Sequence, residues 1–358
     1  MLQALTIAAS VVPNKTPKPI LRNVRVDAQG GKAIVSATDT ELNARIEVDG
    51  VECQAVGKCL LPADRFTSIL REAVDPQVRV SLDGTHATIR SGRDRFRLPL
   101  ASTDDFPTVP APIIHDYHET SASDLRMLLE RTAYASDSES SRYALNGVLF
   151  EFQNDRIDCV ATDGRRLSHV SATAVRHGEG RGLGSTTIIP SHAISVLLKA
   201  FDGEGAIRVS VDQNTASFQT DNAFVSCRLV EGRFPAWRSV MPDKWESEAV
   251  ANAKAVLSAI RRATVVAGSE DRSLEFAFGD GMLAMAGSEA EIGDSQVEIP
   301  IEFSGPPVKI RLNSRYVADF LKPLSPEDSI HVRLSGPNQG AVLVQGSSSC
   351  VIMPMEKP

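Results

Sequence analysis

An internal repeat constrains the fold of this chain more than any other feature of its sequence. Three segments, 61–73, 189–201 and 312–324, each open with a helix-start signal and then carry apolar residues at i, i+3, i+4 and i+7. Equivalent positions lie 128 residues apart (66 to 194) and then 123 residues apart (194 to 317). Solenoid and propeller repeats have periods of about 20 to 50 residues, so this longer period indicates tandem copies of a whole domain.

The elements around these three helices repeat as well. Upstream of each, a second helix is predicted at 1–10, 123–135 and 253–266. Downstream of each, an alternating strand is predicted to point inward at Val78, Val80 and Leu82, then Ile207, Val209 and Val211, then Ile330, Val332 and Leu334. We therefore predict an α+β fold of three tandem copies, each with two helices packed on antiparallel sheets. The predicted domains are 1–112, which starts directly at its helix and lacks a first strand, 113–243 and 244–358.

Composition excludes several classes of protein. The chain has 358 residues and a net charge of −7, which argues against a protein that coats nucleic acid with its whole surface. Its five cysteines are scattered without CxxC spacing, so we expect neither a disulfide framework nor a zinc site, and no cofactor or other metal. The first residues lack a basic leader, and no apolar run reaches the ~20 residues of a membrane span. We expect a cytoplasmic protein with no membrane partner.

An enzyme is the main competing class, and the sequence argues against it. Asp39 and Asp163 occupy equivalent repeat positions, so we expect them to support turns and not to supply a catalytic acid and base. The glycine-rich segment 178–184 fails the GxGxxG pattern and is predicted to be a flexible loop. With no nucleophile elbow and no HxxxH pair, we predict no catalytic residue. A ring or docking protein is the favoured class.

Positive charge recurs on the predicted helices although the chain is acidic. A basic residue follows the third apolar position of the repeated helix in all three copies, at Arg71, Lys199 and Lys322, and the upstream helices add Arg126, Arg131, Arg261 and Arg262. Any one of these side chains could simply be solvated surface. Their recurrence favours contacts with phosphates, which would be independent of DNA sequence.

One segment breaks the repeat and is the more informative for that reason. In the second copy alone, residues 161–167 read ATDGRRL, where Gly164 permits a tight turn that is predicted to present Arg165 and Arg166 beside Leu167. A turn with no further role is the alternative interpretation.

Residues 161–167, together with YALNGVLFE at 143–151, VEGRFPAWRSVMP at 230–242 and CVIMPM at 350–355, resemble the beta subunit of bacterial DNA polymerase III, the sliding clamp. The resemblance covers nearly the whole chain, in order. It implies a head-to-tail homodimer that forms a ring around double-stranded DNA and confers processivity on the replicative polymerase. It also implies that the polymerase, the clamp loader and repair proteins insert short linear motifs into a cleft between the second and third domains.

The resemblance assigns residues to each of these roles. For the peptide cleft they are Leu145, Thr162, Gly164, Arg165, Arg166, Leu167, Pro235, Val240, Asn313, Tyr316, Met353, Pro354 and Met355. For the DNA-facing surface, the resemblance adds Lys15, Arg142 and Tyr143 to the basic residues named above. For the dimer contact they are Phe96 and Leu98 against Val265 and Val266 of a neighbour, with core packing inside one domain as the alternative.

Some cleft positions depart from the family pattern. Ser239 and Glu356 stand where arginine is usual, and Asp271 stands where an aromatic residue is usual. These departures motivate an alternative function, that of a specialised or second-copy clamp with an altered set of partners. A scaffold ring that does not use DNA is a further alternative.

Overall fold

The computed structural model describes residues 1–110, 115–137, 143–178, 187–266, 272–289 and 292–355. Its α-helices are α1 (Leu2–Val11), α2 (Ala63–Arg71), α3 (Ala122–Glu130), α4 (Ser191–Ala200), α5 (Ala253–Ala263) and α6 (Ser314–Leu321). Short 3-10 helices cover Pro19–Arg22, Ala133–Ala135, Tyr143–Leu145 and Trp237–Val240. All six predicted helices are confirmed.

Antiparallel strands form the rest of the framework. The strands are β1 (Asn23–Gln29), β2 (Lys32–Thr38), β3 (Leu42–Asp49), β4 (Gly57–Pro62), β5 (Val78–Leu82), β6 (His86–Ser91), β7 (Asp94–Pro99), β8 (Tyr117–Ser121), β9 (Gly147–Phe152), β10 (Arg156–Thr162), β11 (Arg166–Thr173), β12 (Val175–His177), β13 (Thr187–Pro190), β14 (Ala206–Asp212), β15 (Thr215–Gln219), β16 (Ala223–Arg228), β17 (Ser247–Asn252), β18 (Ser273–Gly279), β19 (Met282–Glu289), β20 (Gly293–Pro300), β21 (Glu302–Ser304), β22 (Val308–Asn313), β23 (Ser329–Leu334), β24 (Ala341–Gln345) and β25 (Ser348–Ile352).

The chain divides into two compact units. Unit one holds Met1–Arg126 and Ala174–Leu229. Its long sheet runs in the order β12-β8-β14-β15-β16-β3-β2-β1-β4, and a smaller sheet runs β5-β6-β7. Helix α1 packs against α2, α4, β2 and β3. Because β16 pairs with β3, strands of the first and second predicted domains share one sheet.

Unit two holds Met127–Thr173 and Val230–Pro358. One of its sheets includes the order β9-β10-β11-β25-β24-β23-β17-β21, and the other runs β20-β19-β18-β22. Helices α5 and α6 pack together, and α5 also contacts β19 and β20 over a buried core that includes Phe276, Met285 and Phe320. The pairing of β11 with β25 joins strands of the second and third predicted domains. The predicted boundaries at 112 and 243 remain predictions.

The third copy shows why its helices begin where they do. The Asn252 side chain accepts a hydrogen bond from the Ala255 amide at 3.0 Å and so caps α5. Asn313 caps α6 in the same way through the Arg315 amide at 3.0 Å. An asparagine in this position satisfies one of the amide groups that a helix start leaves without an intrahelical partner.

The inward strand pattern is confirmed in the third copy and is wrong in the first. Ile330 and Leu334 are fully buried, whereas Val80 is 41% exposed and Leu82 is 47% exposed. Strand β5 is an edge of a three-stranded sheet, in which the central Ile89 is buried. In so narrow a sheet, alternate side chains of the central strand β6 are buried, while side chains of the edge strand β5 remain exposed to solvent. Neither edge exposure nor sheet width can be read from alternation alone.

All five cysteines are free thiols. Four of them are buried and Cys53 is half-buried. In the described part of the chain, no helix is long and apolar enough to cross a membrane.

Candidate docking site and basic surface

The turn between β10 and β11 is held in shape by its own polar side chains. Gly164 has φ +83°, a conformation that residues with a Cβ rarely adopt. The Asp163 Oδ1 atom accepts hydrogen bonds from the amides of Arg165 and Arg166 at 3.0 and 2.9 Å. The Thr162 hydroxyl accepts from the Gly164 amide at 3.1 Å and donates to the Arg166 carbonyl at 2.7 Å. This aspartate therefore supports a turn, as its repeat position predicted.

Asp39, its equivalent in unit one, does the same. Its Oδ1 atom accepts from the Glu41 and Leu42 amides at 2.8 and 2.6 Å. Both carboxylates are engaged by backbone amides, which explains their recurrence without any catalytic role.

The structure corrects the prediction that the turn presents two arginines. Arg165 is exposed, but the Arg166 side chain is only 7% exposed. The Arg166 guanidinium donates to Asp163 at 3.1 Å, to Asp319 on α6 at 2.9 Å and to the Tyr134 carbonyl. It also lies 4.3 Å from the centre of the Tyr316 ring. A planar, five-donor guanidinium is suited to such a network, so Arg166 anchors the turn to α6 from inside unit two.

Asp319 is the acidic centre of this network. Its side chain is 11% exposed and accepts from Lys322 at 2.7 Å as well as from Arg166, with Arg315 3.8 Å away. Burial by itself would raise the pKa of the Asp319 carboxyl, but the hydrogen bonds from Lys322 and Arg166 outweigh it and the pKa is lowered. The carboxylate is therefore charged at neutral pH.

The C-terminal tail is fastened to the same turn. Beyond the β11–β25 pairing, the Met353 amide donates to the Arg165 carbonyl at 2.9 Å, and the Met355 amide donates to the Arg311 carbonyl on β22 at 2.9 Å. Hydrogen bonds thus hold the backbone at Met353 and Met355, while Met353 is 44% exposed. A flexible thioether in this position offers apolar surface that can adapt to different ligands.

The 3-10 helix Trp237–Val240 is a second exposed edge in unit two. Trp237 is buried and stacks on His169 of β11, with ring centres 4.7 Å apart. Arg238 makes two hydrogen bonds to Glu151 of β9, at 2.7 and 3.2 Å, and lies over the Trp237 ring. These contacts hold the short helix against the sheet and leave Val240 45% exposed.

The other predicted cleft residues divide by exposure. Pro235 is exposed, and so is Ser239, which stands where the family usually has arginine. Thr162 and Leu167 are buried. The half-buried cleft residues are Leu145, Asn313, Tyr316, Pro354 and Met355. All thirteen predicted cleft residues belong to unit two. Direct contacts join the turn, the tail and α6, while Trp237 links the segment of Pro235 and Val240 to β11. Glu356 and Asp271 lie outside the described residues.

Sequence reasoning missed a buried polar cluster beside Trp237. Asp158 is 2% exposed and accepts from His169 at 2.9 Å, from Gln153 at 3.0 Å, from Arg156 at 3.1 Å and from the Ser171 hydroxyl. Burial opposes ionisation of this carboxyl, but the bonds from His169 and Ser171 outweigh it, so its pKa is lowered. Only strand alternation hints at this cluster, because it places 158, 169 and 171 on one face of a hairpin.

Most of the predicted DNA-facing residues are exposed. Lys15, Arg71 and Lys199 are exposed in unit one, and Arg261, Arg262 and Lys322 are exposed in unit two. Arg126 is half-buried and reaches the Leu198 carbonyl at 3.5 Å. The prediction for Arg131 is not favoured, because its guanidinium is bound to Gln345 at 2.6 Å and Ser348 at 2.9 Å. Arg142 and the side chain of Tyr143 lie outside the described residues.

The predicted dimer-contact residues are accessible in the single chain. Phe96 on the edge strand β7 is 37% exposed and Val265, just after α5, is 77% exposed. Leu98 and Val266 are half-buried. Exposed apolar groups on a sheet edge are typical of surfaces that pair with another chain. Core packing, the alternative for these residues, does not describe Phe96 or Val265.

Within the described ranges, no group of three or more His, Cys, Asp or Glu side chains is arranged to hold a metal ion.

Comparison with protein families assigns almost the whole chain. The N-terminal domain of the DNA polymerase III beta subunit matches residues 1–110, its central domain matches 119–236 and its C-terminal domain matches 238–356. Among curated relatives, the beta sliding clamp of Pseudomonas putida is 28% identical, over 99% of this chain and 97% of that protein. The beta sliding clamp of Chlamydia pneumoniae is 27% identical, over 97% of this chain and 94% of that protein.

Solved structures agree with this assignment. The DNA polymerase III subunit beta of Pseudomonas aeruginosa bound to griselimycin superposes with a TM-score of 0.90 at 25% identity, over 100% of this chain and 97% of that one. The subunit from Bartonella birtlesii, also bound to griselimycin, has a TM-score of 0.89 at 26% identity, over 99% of this chain and 97% of that one. The chain belongs to the family of the DNA polymerase III beta subunit and is a DNA sliding clamp.

Proposed function

We propose that two copies of this chain close head to tail into a ring around duplex DNA, and that the ring tethers the replicative polymerase through short peptides docked on unit two. The clamp loader and repair proteins dock at the same surface. The anchored turn of unit two is the observation that carries the docking proposal, since it holds the exposed Arg165 and Met353 next to one another.

The shape and chemistry of this surface support a peptide ligand. Met353, Val240 and Pro235 offer exposed apolar groups, and hydrogen bonds hold the backbone of the turn and the tail. A rigid frame with flexible methionine side chains reduces the entropic cost of binding and still accommodates different sequences. Arg165 adds an exposed cation that can pair with a peptide carboxylate.

A Gln-Leu-Ser-Leu-Phe peptide with a fluorescent label tests the docking site by anisotropy. We expect saturable binding that weakens roughly tenfold or more in Met353→Ala and Met355→Ala, as for a truncated residue at the centre of an interface. Val175→Ala is the matched control, because Val175 is 60% exposed in unit one and outside the proposed site. Absence of binding to the wild-type protein would refute the docking site. Unchanged binding in both methionine variants would move the site elsewhere.

The exposed basic residues support sequence-independent contact with DNA. Arg71 and Lys199 lie in the last turns of α2 and α4, and Arg261 and Arg262 lie in the last turn of α5. A cation at the C-terminal end of a helix also interacts favourably with the helix dipole, by about 0.3–1 kcal/mol. This interaction alone would account for a single such residue, even if it made no contact with DNA. Their recurrence in three copies is better explained by a phosphate backbone.

Charge on the sheet edges supports the head-to-tail dimer. Edge strand β7 carries Arg95 and Arg97 beside Phe96, and edge strand β20 carries Asp294 and Glu298. Antiparallel pairing of β7 of one copy with β20 of the next would complete both edges and bring opposite charges together. Sedimentation should then give twice the mass of the chain. A monomer at all concentrations would exclude the ring.

Topological binding distinguishes a ring from a surface that merely attracts DNA. Protein closed on a nicked circular duplex should stay bound through a high-salt wash and be released when the circle is cut. Electrostatic binding alone would be lost in high salt on either form. Equal retention on circular and linear DNA would contradict encirclement. A ring of normal mass that is never retained on circles would favour the DNA-independent scaffold. The relatives named above favour an ordinary clamp over the specialised alternative.

A further inference from the structure

Asp319 joins two surfaces that the proposed function uses separately. Its Oδ1 atom accepts from the Lys322 ammonium at 2.7 Å, and its Oδ2 atom accepts from the Arg166 guanidinium at 2.9 Å. Lys322 belongs to the repeated basic positions proposed to face DNA, and Arg166 anchors the peptide-docking turn. One buried carboxylate therefore holds a cation of each surface.

The two halves of this bridge differ in exposure. The Lys322 side chain is 56% exposed, while the side chains of Asp319 and Arg166 are 11% and 7% exposed. A phosphate can therefore reach Lys322 but neither of the other two groups. Arg315 is the third cation near the carboxylate, at 3.8 Å, and is also exposed. It makes the weakest of the three contacts by distance.

Both partners of the buried pair are departures from the repeat. Residue 319 corresponds to Ser68 in the first copy and to Val196 in the second, so only the third copy has an acid three residues before its repeated basic residue. Arg71 and Lys199 form no ion pair within the described residues. Arg166 in turn occurs only in the segment of the second copy that breaks the repeat. The connection is thus specific to one of three otherwise equivalent lysine or arginine positions.

We propose that Asp319 is a positioning residue that couples DNA contact at Lys322 to peptide docking at the Arg166 turn; this rests on the proposed function. When a phosphate engages Lys322, Asp319 loses one of its two close cations. The Asp319 carboxylate then interacts more strongly with the Arg166 guanidinium. This stronger ion pair holds the turn more firmly against α6 and Tyr316. A better-held turn binds a peptide with less ordering cost, so DNA in the ring raises peptide affinity.

Peptide affinity with and without DNA tests the coupling. Anisotropy of the labelled Gln-Leu-Ser-Leu-Phe peptide is measured at low salt, in the absence of DNA and with a short duplex in excess. In the wild type, duplex should lower Kd by on the order of two- to fivefold, at the weak end of allosteric couplings because Lys322 is partly solvated. Lys322→Gln should bind the peptide in the absence of DNA about as tightly as DNA-bound wild type, and duplex should not change its Kd.

Lys309→Gln is the matched control, since it removes an exposed lysine of unit two that has no acidic partner in the described part of the chain and that the proposed function assigns to neither the DNA surface nor the docking site. It should keep the wild-type response to duplex. Asp319→Asn should lose the response and bind the peptide more weakly. The coupling is refuted if Lys322→Gln responds to duplex as the wild type does, or if duplex leaves the wild-type Kd unchanged. Failure of the wild type to bind any peptide, or to be retained on circles, would instead refute the proposed function and the coupling with it.

Discussion

The Arg166–Asp319 pair gives the most direct test of how unit two is held together. Asp319→Asn keeps the size of the side chain but removes its charge, leaving a guanidinium that is 7% exposed without its partner on α6. Breaking a buried ion pair from one side costs about 3–5 kcal/mol. Arg166 retains Asp163 and the Tyr134 carbonyl, and an asparagine oxygen can still accept, so we expect a loss of about 2 kcal/mol.

Tryptophan fluorescence during urea unfolding measures this loss of stability within unit two itself. Trp237 and Trp245 are the two tryptophans of the chain, and both belong to unit two. Glu248→Gln is the control in the same unit, because its pair with Arg333 is 28% and 30% exposed and should contribute less than about 1 kcal/mol. If Asp319→Asn shifts the transition no more than the control does, the buried network is not what holds the turn to α6.

The pH dependence of this difference follows from the lowered pKa of Asp319. A carboxyl whose pKa is lower in the folded than in the unfolded chain stabilises the fold above its unfolded pKa, about 3.9, and loses that contribution as pH falls through the folded value. The gap between wild type and Asp319→Asn should therefore be constant above about pH 5 and shrink below about pH 4. A gap that persists undiminished in acid would contradict the assignment of charge to Asp319.

Three further outcomes are expected. Gly164→Ala should destabilise unit two by about 1–2 kcal/mol through backbone strain alone, since no atom lies within 4 Å of the added Cβ. Gly164→Asn should destabilise it less, because asparagine tolerates positive φ. Equal urea midpoints for the wild type and both variants would refute this expectation. Phe96→Asp should convert the dimer to monomer in sedimentation, whereas Val74→Asp, at an 82% exposed position of the same unit, should not. Iodoacetamide at pH 8, followed by mass spectrometry, should label Cys53 alone. Burial raises the pKa of the Cys59 thiol to about 11 and those of Cys227 and Cys350 to about 12, and it also raises the pKa of Cys159; labelling of a buried cysteine at the rate of Cys53 would contradict this expectation.

Local patterns carried the fold prediction far. Six helices, the strand that follows each repeated helix and the turn at Gly164 were predictable because helix periodicity, strand alternation and glycine turns depend on residues a few positions apart. The turn role of Asp39 and Asp163 was predictable for the same reason. Assignment of the cleft residues needed more than periodicity, since it came from a family resemblance that covers the whole chain.

The sequence by itself determined the threefold repeat, the elements of each copy and the position at which one copy departs from the others. Only the tertiary structure decided that Arg166 is buried against a carboxylate 153 residues away and that Val80 and Leu82 stay open on a narrow sheet. Burial and ion pairing depend on which distant segment covers a side chain. The repeat predicts a helix at α6, but only the packing of β11 against β25 and α6 determines that Asp319 of this helix pairs with Arg166.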